Sequence, residues 1–528
     1  MEAFDVIVAG SGPTGMMLAH ELSLAGVRVA ILEKSAERSD ISRAFTMQPR
    51  TAEVLDLRGL LRDVHQRALA TVPDGHFGGL PVKLKYDSWW TRHPYVVGIG
   101  QAEVEALIEQ RLAQRGLNVR YGHEVTGLRQ DTGGVTVEAQ GPGGPLRFRS
   151  RYLIGCDGGR SVIRKQLGIG FPGTEPSQWG IVADVVLERT EESVPKRWAS
   201  NTEMFGSRAS MGRLVVMIPL DVKRGAYRMG VIDANAEARP ADRDAPVTIP
   251  EVEAILRTQY GPDIKVAQLN WSSRYTDASR QVGQYRTGHV FLAGDAAHIH
   301  TPASGQGMNL GIQDAMNLGW KLASAIKGSA GEALLDSYHD ERHPVAAQVL
   351  EHTRAQALFQ IPTEDPKVVA LRNIFIDMMK VPGVVHHLAG LISGFGIRYP
   401  MPGANDATAH PLLGMRMPDI ELIMSDTSRR WFSDMMNHGR GLLLTAGPAH
   451  AEAARGWSDR IDIAPVAILP LPGGRADAVL IRPDGHICWI APADDGPSSA
   501  ALPDALGQWF GPPGAAMTMA GQAPGFPI

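Results

Sequence analysis

Cysteine is scarce in this sequence. Cys156 and Cys488 are the only two in 528 residues, and they lie too far apart to form a CxxC pair. This count excludes a disulfide framework, a cysteine-rich metal site and a dithiol redox centre. The chain is therefore expected to work in a reducing compartment, and we predict a cytoplasmic protein.

Strong net charge and long apolar runs are also missing. The formal net charge is −4 and the isoelectric point is near 6.5, which provides no electrostatic basis for binding nucleic acid or an anionic membrane. No apolar stretch is long enough to span a bilayer, and the first residues lack the basic and apolar regions of a signal peptide. We therefore expect no nucleic-acid partner and no membrane association.

What remains is an ordinary globular composition, with 44% hydrophobic and 20% charged residues. The length predicts about three domains. Alternating strand and helix patterns in residues 1–177 and 271–400 indicate one α/β domain with connecting helices. The pattern changes to short strands in residues 178–270, which predicts an inserted sheet domain. Proline- and glycine-rich loops with short strands in residues 401–528 indicate a third domain.

The first ordered element is a strand followed by a glycine-rich turn. The run from Phe4 to Ala9 reads as a buried parallel strand. The GxGxxG turn comes next, with Gly10, Gly12, Pro13, Thr14 and Gly15 as candidate cofactor residues. Its glycines permit a tight turn, close approach of backbone N–H groups to a pyrophosphate, and close packing of the next helix. The positive end of that helix then faces the phosphates.

The acidic residue expected after such a turn is also present. Glu33 ends the second strand, at the offset where a carboxylate accepts hydrogen bonds from an adenosine ribose, and Lys34 follows it as a further candidate. Strand, turn, helix, strand and acid in this order favour dinucleotide binding. A glycine-rich turn in another kind of α/β domain is the alternative.

Helices are also predicted from apolar periodicity outside this unit, among them Gln101 to Ala113. Apolar residues at three- and four-residue steps predict a helix from about Pro49 to Leu61, and a second from Met308 to Lys327. Gly328 is expected to cap the second helix at its C-terminus.

Two later motifs indicate which dinucleotide is bound. Asp157 follows a buried strand, and Gly294-Asp295 follows another. A carboxylate at the carboxyl end of a strand can accept hydrogen bonds from a polyol such as the flavin ribityl chain, which nicotinamide dinucleotides lack. Gly305 and Gly307 permit a close approach of backbone to a ring, and the helix after them directs its dipole at the reduced flavin. His298 and His300 resemble a metal pair, but they lie within this motif, so we expect no metal.

Residues 75–94 form an irregular segment rich in aromatic side chains. Phe77, Tyr86, Trp89 and Trp90 all fall within it. Such a loop can line a site for a flat ligand, or it can be a hydrophobic cluster beneath a surface loop. Both readings stay open, and Phe77, Trp89 and Trp90 are the candidate substrate contacts.

Taken together, the GxGxxG unit, Asp157-Gly158 and Gly294-Asp295 resemble those of the class A flavoprotein aromatic hydroxylases, the para-hydroxybenzoate hydroxylase class. The segments around Arg280-Gln281, Tyr285-Arg286 and Gly305 to Gly311 are most similar to the aromatic polyketide hydroxylases of antibiotic pathways. The resemblance covers nearly the whole chain. It implies an α/β fold: a Rossmann-like FAD-binding domain, an inserted β-sheet substrate domain to which loop 75–94 contributes, and a thioredoxin-like C-terminal domain. That last domain lacks CxxC here.

The resemblance also implies roles for individual residues. Arg43 and Gln101 are expected at the ribityl–pyrophosphate region of FAD, Asp157 at FAD and in NADPH use, and Asp295 at the ribityl chain. Pro302 and the backbone of Gly307 and Met308 are expected to line the isoalloxazine ring, and Gly305 and Asn309 are further candidate cofactor-binding residues.

The implied activity is monooxygenation of a polycyclic aromatic polyketide through a C4a-hydroperoxyflavin. Non-covalent FAD is the expected cofactor, NADPH or NADH the transient co-substrate, and O2 the oxidant. No second GxGxxG unit is present for the nicotinamide nucleotide. The flavin performs the chemistry in this family, so the sequence identifies no catalytic residue and no general base. The protein is expected to be a monomer or homodimer.

Several alternatives share the fold. One is an antibiotic-inactivating monooxygenase acting on rifamycin- or tetracycline-like compounds, and another is a Baeyer–Villiger enzyme. A flavin-dependent halogenase is disfavoured because its Trp-x-Trp-x-Ile-Pro signature is absent. A non-enzymatic flavin sensor is disfavoured because the loop after Gly305 and the inserted sheet are expected to build a site beside the ring.

Overall fold

The computed structural model describes residues 1–189, 192–198, 209–210, 212–234, 245–361, 363–402, 410–493 and 501–514. Parts of the predicted inserted domain and of the predicted third domain lie outside the described residues. The exact domain boundaries therefore stay predictions. Among the helices of the described ranges, none is long and apolar enough to cross a bilayer.

Twenty-seven strands are present in the described ranges. In chain order they are β1 (Glu2–Ala9), β2 (Val29–Leu32), β3 (Thr46–Met47), β4 (Ala70–Val72), β5 (Asp74–Gly75), β6 (Leu84–Lys85), β7 (Val96–Gly98), β8 (Val119–Arg120), β9 (Glu124–Asp131), β10 (Gly134–Gly141), β11 (Gly144–Gly155), β12 (Gly173–Thr174), β13 (Trp179–Leu187), β14 (Ala209–Ser210), β15 (Arg213–Asp221), β16 (Ala226–Asp233), β17 (Val266–Thr276), β18 (Ser279–Gln281), β19 (Arg286–Thr287), β20 (Val290–Leu292), β21 (His298–Ile299), β22 (Glu421–Met424), β23 (Arg429–Trp431), β24 (Gly441–Thr445), β25 (Ile461–Leu471), β26 (Gly474–Ile481) and β27 (Ile487–Pro492).

Twelve α-helices accompany them in the described ranges. They are α1 (Pro13–Leu24), α2 (Pro49–Asp56), α3 (Leu61–Arg67), α4 (Gln101–Gln114), α5 (Val162–Gln166), α6 (Ile249–Tyr260), α7 (Gln306–Ile326), α8 (Glu332–Gln360), α9 (Pro366–Met378), α10 (Pro382–Ser393), α11 (Pro448–Ala453) and α12 (Ala501–Phe510).

The largest sheet has parallel strands at its centre. Its order is β19-β20-β11-β1-β2-β8, with β10 and β9 continuing from β11. The pairs β1–β11, β1–β2, β11–β20 and β2–β8 are all parallel. The last four residues of β1 are buried, as expected for a strand covered on both faces. Because the central strands are parallel, the carboxyl ends of β1, β2, β11 and β20 meet at one edge, where such sheets bind ligands.

The predicted inserted sheet is present and antiparallel, with the order β14-β15-β16-β13-β17. Alternate residues of β13, including Ile181 and Val185, form a buried core with Val252 of α6. The opposite face carries Asp184, which accepts a hydrogen bond from the Nε–H of Arg228. Arg228 also donates to the carbonyl oxygen of Ser42. The polar face of the sheet is thereby fixed to the segment that carries Arg43.

The C-terminal region forms a mixed sheet with the order β23-β22-β25-β24-β26-β27. Strand β24 pairs in parallel with β25 and antiparallel with β26, and α12 contributes Leu502 and Leu506 to the core of this sheet. The arrangement agrees with the predicted thioredoxin-like domain. Cys488 is buried in that core, and burial raises the pKa of its thiol well above the ordinary value. The thiol is therefore protonated at neutral pH and packs as an apolar group.

One predicted helix is shorter in the structure. The segment from Pro49 to Leu61, expected to be a single helix, ends as α2 at Asp56, and α3 begins at Leu61. Gly59 between them has φ +66°, a left-handed conformation that cannot continue a right-handed helix. The predicted second helix is confirmed as α7, and Gly328 beyond its end has φ +75°.

Candidate active site

The glycine-rich turn lies at the carboxyl edge of the parallel sheet. Gly10 has φ +101°, and a Cβ there would lie 2.4 Å from the carbonyl oxygen of Cys156, so only glycine fits. A Cβ at Gly12, in contrast, would meet nothing within 4 Å. Pro13 occupies the first turn of α1, and no side chain caps this helix. Its first N–H groups therefore face open space and can bind a pyrophosphate.

Thr14 and Gly15 hold this turn against the rest of the domain. A Cβ at Gly15 would lie 2.1 Å from the carbonyl oxygen of Gly10, and one at Gly294 would lie 2.6 Å from Thr14 Oγ1. The close contact between the first turn and the Gly294 turn brings two sequence motifs 280 positions apart to one place. Their joint contact with a dinucleotide stays a prediction.

Glu33 ends β2 beside the turn. Its carboxylate accepts hydrogen bonds from the backbone N–H groups of Ser11 and Ser35, both at 2.9 Å. Partial burial alone would raise the pKa of Glu33, but these hydrogen bonds outweigh it and the pKa is lowered. The residue is thus an anion at neutral pH, suited to accept hydrogen bonds from a ribose. Lys34 is exposed next to it.

Asp157 follows β11 and uses half of its carboxylate locally. Oδ2 accepts hydrogen bonds from the backbone N–H groups of Val162 and Ile163, at 2.7 and 3.2 Å, and so caps α5. Oδ1 is buried without a partner. One oxygen therefore has a structural role, and the other is available for a cofactor group.

A buried ion pair between Asp314 and Arg342 contacts the Gly294-Asp295 turn. Asp314 of α7 accepts hydrogen bonds from the backbone N–H of Gly294 at 3.1 Å and from Nε of Arg342 at 2.7 Å. The Nε2 atom of His298 lies 2.7 Å from Asp314 Oδ2. Asp295 itself is exposed, and its carboxylate has no hydrogen-bond partner among the described residues. It is therefore free to accept hydrogen bonds from a polyol.

The two histidines of this motif have different surroundings. His298 is committed to Asp314, whereas Nδ1 of His300 lies 2.7 Å from the carbonyl oxygen of Thr301. His300 Nε2 is buried without a partner, 3.8 Å from where a Cβ on Gly307 would lie. Burial lowers the pKa of His300, so its imidazole is neutral beside Gly307.

The loop before α7 is held in a strained conformation. Ser304 has φ +56°, in the left-handed region that a residue with a Cβ seldom occupies. Asn309 fixes the neighbouring backbone: Nδ2 donates to the carbonyl oxygens of Thr46 and Gly305, at 2.9 and 2.7 Å, and Oδ1 accepts from the Gln48 N–H at 2.8 Å. The Asn309 side chain is thus occupied by backbone groups, and a direct contact with a flavin stays a prediction.

The remaining predicted flavin contacts surround this loop. Pro302 is exposed, Gly307 is half-buried, and Met308 is buried. No side chain caps the N-terminus of α7, so its first N–H groups are available to the pyrimidine end of a flavin. These positions agree with the predicted ring site, and contact of each residue with a flavin ring stays a prediction.

Arg43 and Gln101 are the predicted ribityl–pyrophosphate contacts outside the glycine-rich turns. Arg43 is exposed, and Gln101 begins α4, where its Nε2 donates to Oε1 of Glu105 at 2.8 Å. Glu105 was not predicted from the sequence. Burial raises its pKa to about 7, which outweighs the hydrogen bond from Gln101 and the positive charge of Arg38. The four-residue helical spacing from Gln101 is the signal that could have indicated this pair.

These groups fit FAD. Glu33 suits the adenosine ribose, the uncapped start of α1 suits the pyrophosphate, and Asp295 suits the ribityl chain. The space next to Gly12 is open, and a side chain at this position would occupy it. All of them lie at the edge where the parallel strands end, so one extended dinucleotide can contact them in order.

A cavity adjoins the Ser304 loop. Its lining, called the cavity lining below, consists of Thr46, Gln48, Val72, Asp74, Gly75, His76, Tyr86, Val96, Trp198, Ser304 and Ile392. Loop 75–94 contributes through Gly75, His76 and Tyr86. The other lining residues come from β3, β4, β5, β7 and α10, from Gln48 directly before α2, from the loop before α7, and from the segment containing Trp198. Gly75, His76 and Tyr86 lie in the aromatic segment considered for the substrate, and Trp198 lies in the predicted inserted domain. The other lining residues belong to no predicted substrate feature, because they become neighbours only through long-range contacts.

The three candidate substrate residues lie outside the cavity lining. Phe77 is buried and stacks on Phe375, with ring centroids 5.2 Å apart. Trp89 stacks on His386, and Trp90 is 52% exposed. For Phe77 and Trp89 the structure thus shows the hydrophobic cluster that was the alternative reading. A contact of any of the three with substrate stays a prediction.

One group of acidic and histidine side chains could in principle hold a metal. Asp56, His93 and Asp419 lie close together. Arg92 occupies the space between the carboxylates, donating to Asp56 at 2.7 Å and to Asp419 at 2.6 Å. The negative charges are therefore already paired, and the cluster is an ion-pair network.

Two family matches cover most of the chain. Residues 3–353 match the FAD binding domain family, and residues 410–513 match the family described as aromatic-ring hydroxylase, C-terminal. The first match spans the Rossmann-like domain and the inserted sheet. The second spans the thioredoxin-like region.

Individual proteins match over nearly their full length. Anhydrotetracycline monooxygenase of Streptomyces rimosus is 44% identical over 517 residues, 97% of this chain and 99% of that protein. Rifampicin monooxygenase of Streptomyces venezuelae is 40% identical, over 96% of this chain and 99% of that protein. The solved structure of OxyS, an anhydrotetracycline hydroxylase from Streptomyces rimosus, superposes with a TM-score of 0.85 at 43% identity, covering 97% of this chain and 100% of that one.

Proposed function

The chain belongs to the FAD-binding family of aromatic-ring hydroxylases, and on that basis we propose that it hydroxylates a polycyclic aromatic polyketide in the cavity beside Ser304. The protein is an FAD-dependent monooxygenase. Bound FAD would supply the redox chemistry, namely uptake of a hydride from NADPH or NADH and activation of O2, with one oxygen atom entering the substrate and the other leaving as water. The chain contributes binding, orientation and exclusion of water.

The position of the cavity is the observation that carries this proposal. Ser304 belongs both to the cavity lining and to the loop that precedes α7, and that loop is the predicted flavin ring site. A substrate in the cavity would therefore lie beside the ring. The apolar side chains of the cavity lining, Val72, Val96, Trp198 and Ile392, suit the face of a fused aromatic system.

Hydrogen bonds also fix the cavity lining relative to the loop before α7 (Ala303–Gly305), which is called the ring loop below. The Nε2 of Gln48 donates to the carbonyl oxygen of Ser304 at 2.8 Å. The Ser304 hydroxyl donates to Oε1 of Gln356 at 2.5 Å, and the N–H of Gly78 donates to the same oxygen at 3.2 Å. Loop 75–94, the ring loop and α8 are therefore joined through one buried amide. This connection positions the substrate against the ring without a mobile intermediary.

A second candidate function is inactivation of an antibiotic. The 40% identity with a rifampicin monooxygenase supports it, and the same cavity chemistry would serve. Baeyer–Villiger insertion beside a ketone is a further outcome of the same oxygen activation.

We also propose a monomer or homodimer working in the cytoplasm, where NADPH is supplied.

The test is oxidation of defined polycycles by the purified FAD-loaded protein. Anhydrotetracycline, rifampicin and a hydroxyanthraquinone are each incubated with NADPH or NADH, and products are identified by mass spectrometry in 18O2. We expect substrate-dependent nicotinamide oxidation and a product carrying one labelled oxygen. Ring fragmentation or lactone formation would indicate the Baeyer–Villiger alternative. Nicotinamide oxidation that no polycycle stimulates would overturn the proposal.

A further inference from the structure

Three oxygen atoms of the cavity lining are buried without a hydrogen-bond partner. They are Oε1 of Gln48, Oδ1 of Asp74 and the hydroxyl of Tyr86. Gln48 is 3% exposed and Tyr86 is fully buried. An unsatisfied buried polar atom costs about 1–3 kcal/mol, and native proteins contain few of them. Three such atoms in one cavity indicate that a ligand satisfies them.

Local structure presents the Tyr86 hydroxyl to the cavity. The short strands β5 and β6 pair, with Gly75 opposite Leu84, and Tyr86 follows β6 directly. A Cβ on Gly75 would lie only 1.9 Å from the Tyr86 hydroxyl. The missing side chain at Gly75 is thus what allows the hydroxyl to rest where it does.

The Gln48 amide is oriented by its nitrogen. Its Nε2 donates to the Ser304 carbonyl oxygen at 2.8 Å, and its backbone N–H donates to Asn309. The hydrogen bond to the Ser304 carbonyl oxygen requires a donor, so it identifies the side-chain nitrogen of Gln48. The amide oxygen is left as an acceptor on the cavity side.

Asp74 adds a negative charge to the same wall. Its Oδ2 lies 3.2 Å from Nζ of Lys83, which leaves Oδ1 unpaired. Burial lowers the pKa of His76 in this wall to about 4, so its imidazole is neutral at pH 7. Among the described residues of the cavity lining, none is lysine or arginine. The cavity lining therefore offers acceptors and the hydroxyls of Thr46, Tyr86 and Ser304, and the ammonium of Lys83 next to it is paired with Asp74.

We propose that Gln48, Asp74 and Tyr86 select a neutral, hydroxylated polycycle and reject carboxylated aromatic compounds. A substrate hydroxyl donates its hydrogen to Gln48 Oε1 or Asp74 Oδ1 and accepts one from Tyr86. A methyl ether has no hydrogen to donate. A carboxylate would be buried beside Asp74, where the ammonium of Lys83 is already paired with the Asp74 carboxylate, and such a second negative charge is strongly unfavourable. This inference rests on the proposed function, and it names the substrate chemistry that the cavity recognises.

Binding to the FAD-loaded protein tests the inference. The probes are 2-hydroxyanthraquinone, 2-methoxyanthraquinone and anthraquinone-2-carboxylate, and binding is followed by the change in flavin absorbance. We expect the hydroxy compound to bind at least tenfold more tightly than either of the others, because neither of them donates a hydrogen to Gln48 or Asp74. Tyr86→Phe removes the donor to the substrate oxygen and should weaken binding of the hydroxy compound at least threefold. Asp74→Asn should strengthen binding of the carboxylate and change binding of the hydroxy compound less than threefold. Unchanged affinities for all three probes in both variants would overturn the inference.

Matched variants separate recognition from folding. Tyr95→Phe removes a hydroxyl that contacts His65 and His93, outside the cavity lining, and should leave the probe preference unchanged. Gly75→Ala displaces the Tyr86 hydroxyl by a different route and should reproduce Tyr86→Phe. If the wild type binds all three probes equally, the inference that these residues select the substrate is wrong, while the proposed function stands. If it binds none of them but is active on other polycycles, the inference also fails; if no polycycle binds or reacts, both fail.

Discussion

The indole ring of Trp89 lies parallel to the imidazole ring of His386, with ring centroids 4.2 Å apart and an interplanar angle of 3°. The indole also covers Gly390, where a Cβ would lie 2.2 Å from its ring. Trp89 therefore joins loop 75–94 to α10. Because α10 supplies Ile392 to the cavity lining, this stacked pair supports one side of the cavity from behind.

Replacing Trp89 with alanine is expected to lower stability first. The variant loses the stacked pair and leaves a gap at Gly390, and we expect a loss of about 2 kcal/mol, visible as a lower Tm. Trp90→Ala is the matched control, since Trp90 is 52% exposed, and should change stability by no more than about 0.5 kcal/mol. A Trp89→Ala protein with normal Tm but raised substrate KM would instead support direct substrate contact.

Asp295→Ala is expected to weaken FAD binding at least tenfold, about 1.4 kcal/mol. The exposed carboxylate has no partner among the described residues, so its loss removes a charged acceptor from the ribityl chain without breaking a protein contact. FAD titration of the flavin-free protein measures the effect, with the exposed Asp263→Ala as control. Acid should release intact FAD from the wild type, because the flavin is non-covalent. An unchanged FAD affinity would place the ribityl chain elsewhere.

Local patterns predicted the cofactor edge well. The strand ending at Ala9, the turn at Gly10 and the second strand are each specified by residues within a few positions of one another, and all are present. The predicted helix from Pro49 was wrong beyond Asp56, because the left-handed Gly59 interrupts it. No apolar periodicity reports the backbone angle of a single glycine.

The cavity could not be predicted in the same way. Gln48 meets Ser304 across 256 positions, and Trp198 packs on Gly98. Such contacts depend on how the domains pack, which local spacing does not encode. The aromatic composition of residues 75–94 indicated the correct loop, but Tyr86 faces the cavity while Phe77 and Trp89 pack into the cluster behind it.

Asp314→Asn is expected to destabilise the fold by about 3–5 kcal/mol, because it leaves the fully buried Arg342 guanidinium without its counter-ion. Burial alone would raise the pKa of Asp314, but Arg342 and His298 outweigh it and the pKa is lowered. A carboxyl with a lowered folded-state pKa contributes stability above its unfolded pKa, near 4, and loses that contribution as the pH falls through the folded pKa. Urea unfolding from pH 7 to pH 3 should show the difference between wild type and variant shrinking in acid. A constant difference would contradict the ionised pair.

Glu105→Gln is expected to act in the opposite pH range. Burial raises the pKa of Glu105 to about 7, above its unfolded value near 4.3. The protonated form is thus favoured in the fold, and this contribution is complete below pH 4 and lost as the pH rises through 7. The wild type should therefore lose about 3–4 kcal/mol relative to Glu105→Gln, which cannot ionise, between pH 4 and pH 8.

Gln101→Ala provides the companion measurement, since it removes the hydrogen bond to Glu105 that partly offsets burial. The pKa of Glu105 should rise further in that variant, and the loss of stability, which begins near the unfolded pKa in both proteins, should extend to higher pH. Urea unfolding of the flavin-free and FAD-loaded proteins across this range checks both variants and shows whether the cofactor shifts the transition. Parallel curves for wild type and Glu105→Gln at every pH would mean that Glu105 is already ionised in the fold, held by Arg38 and Arg43 rather than protonated by burial.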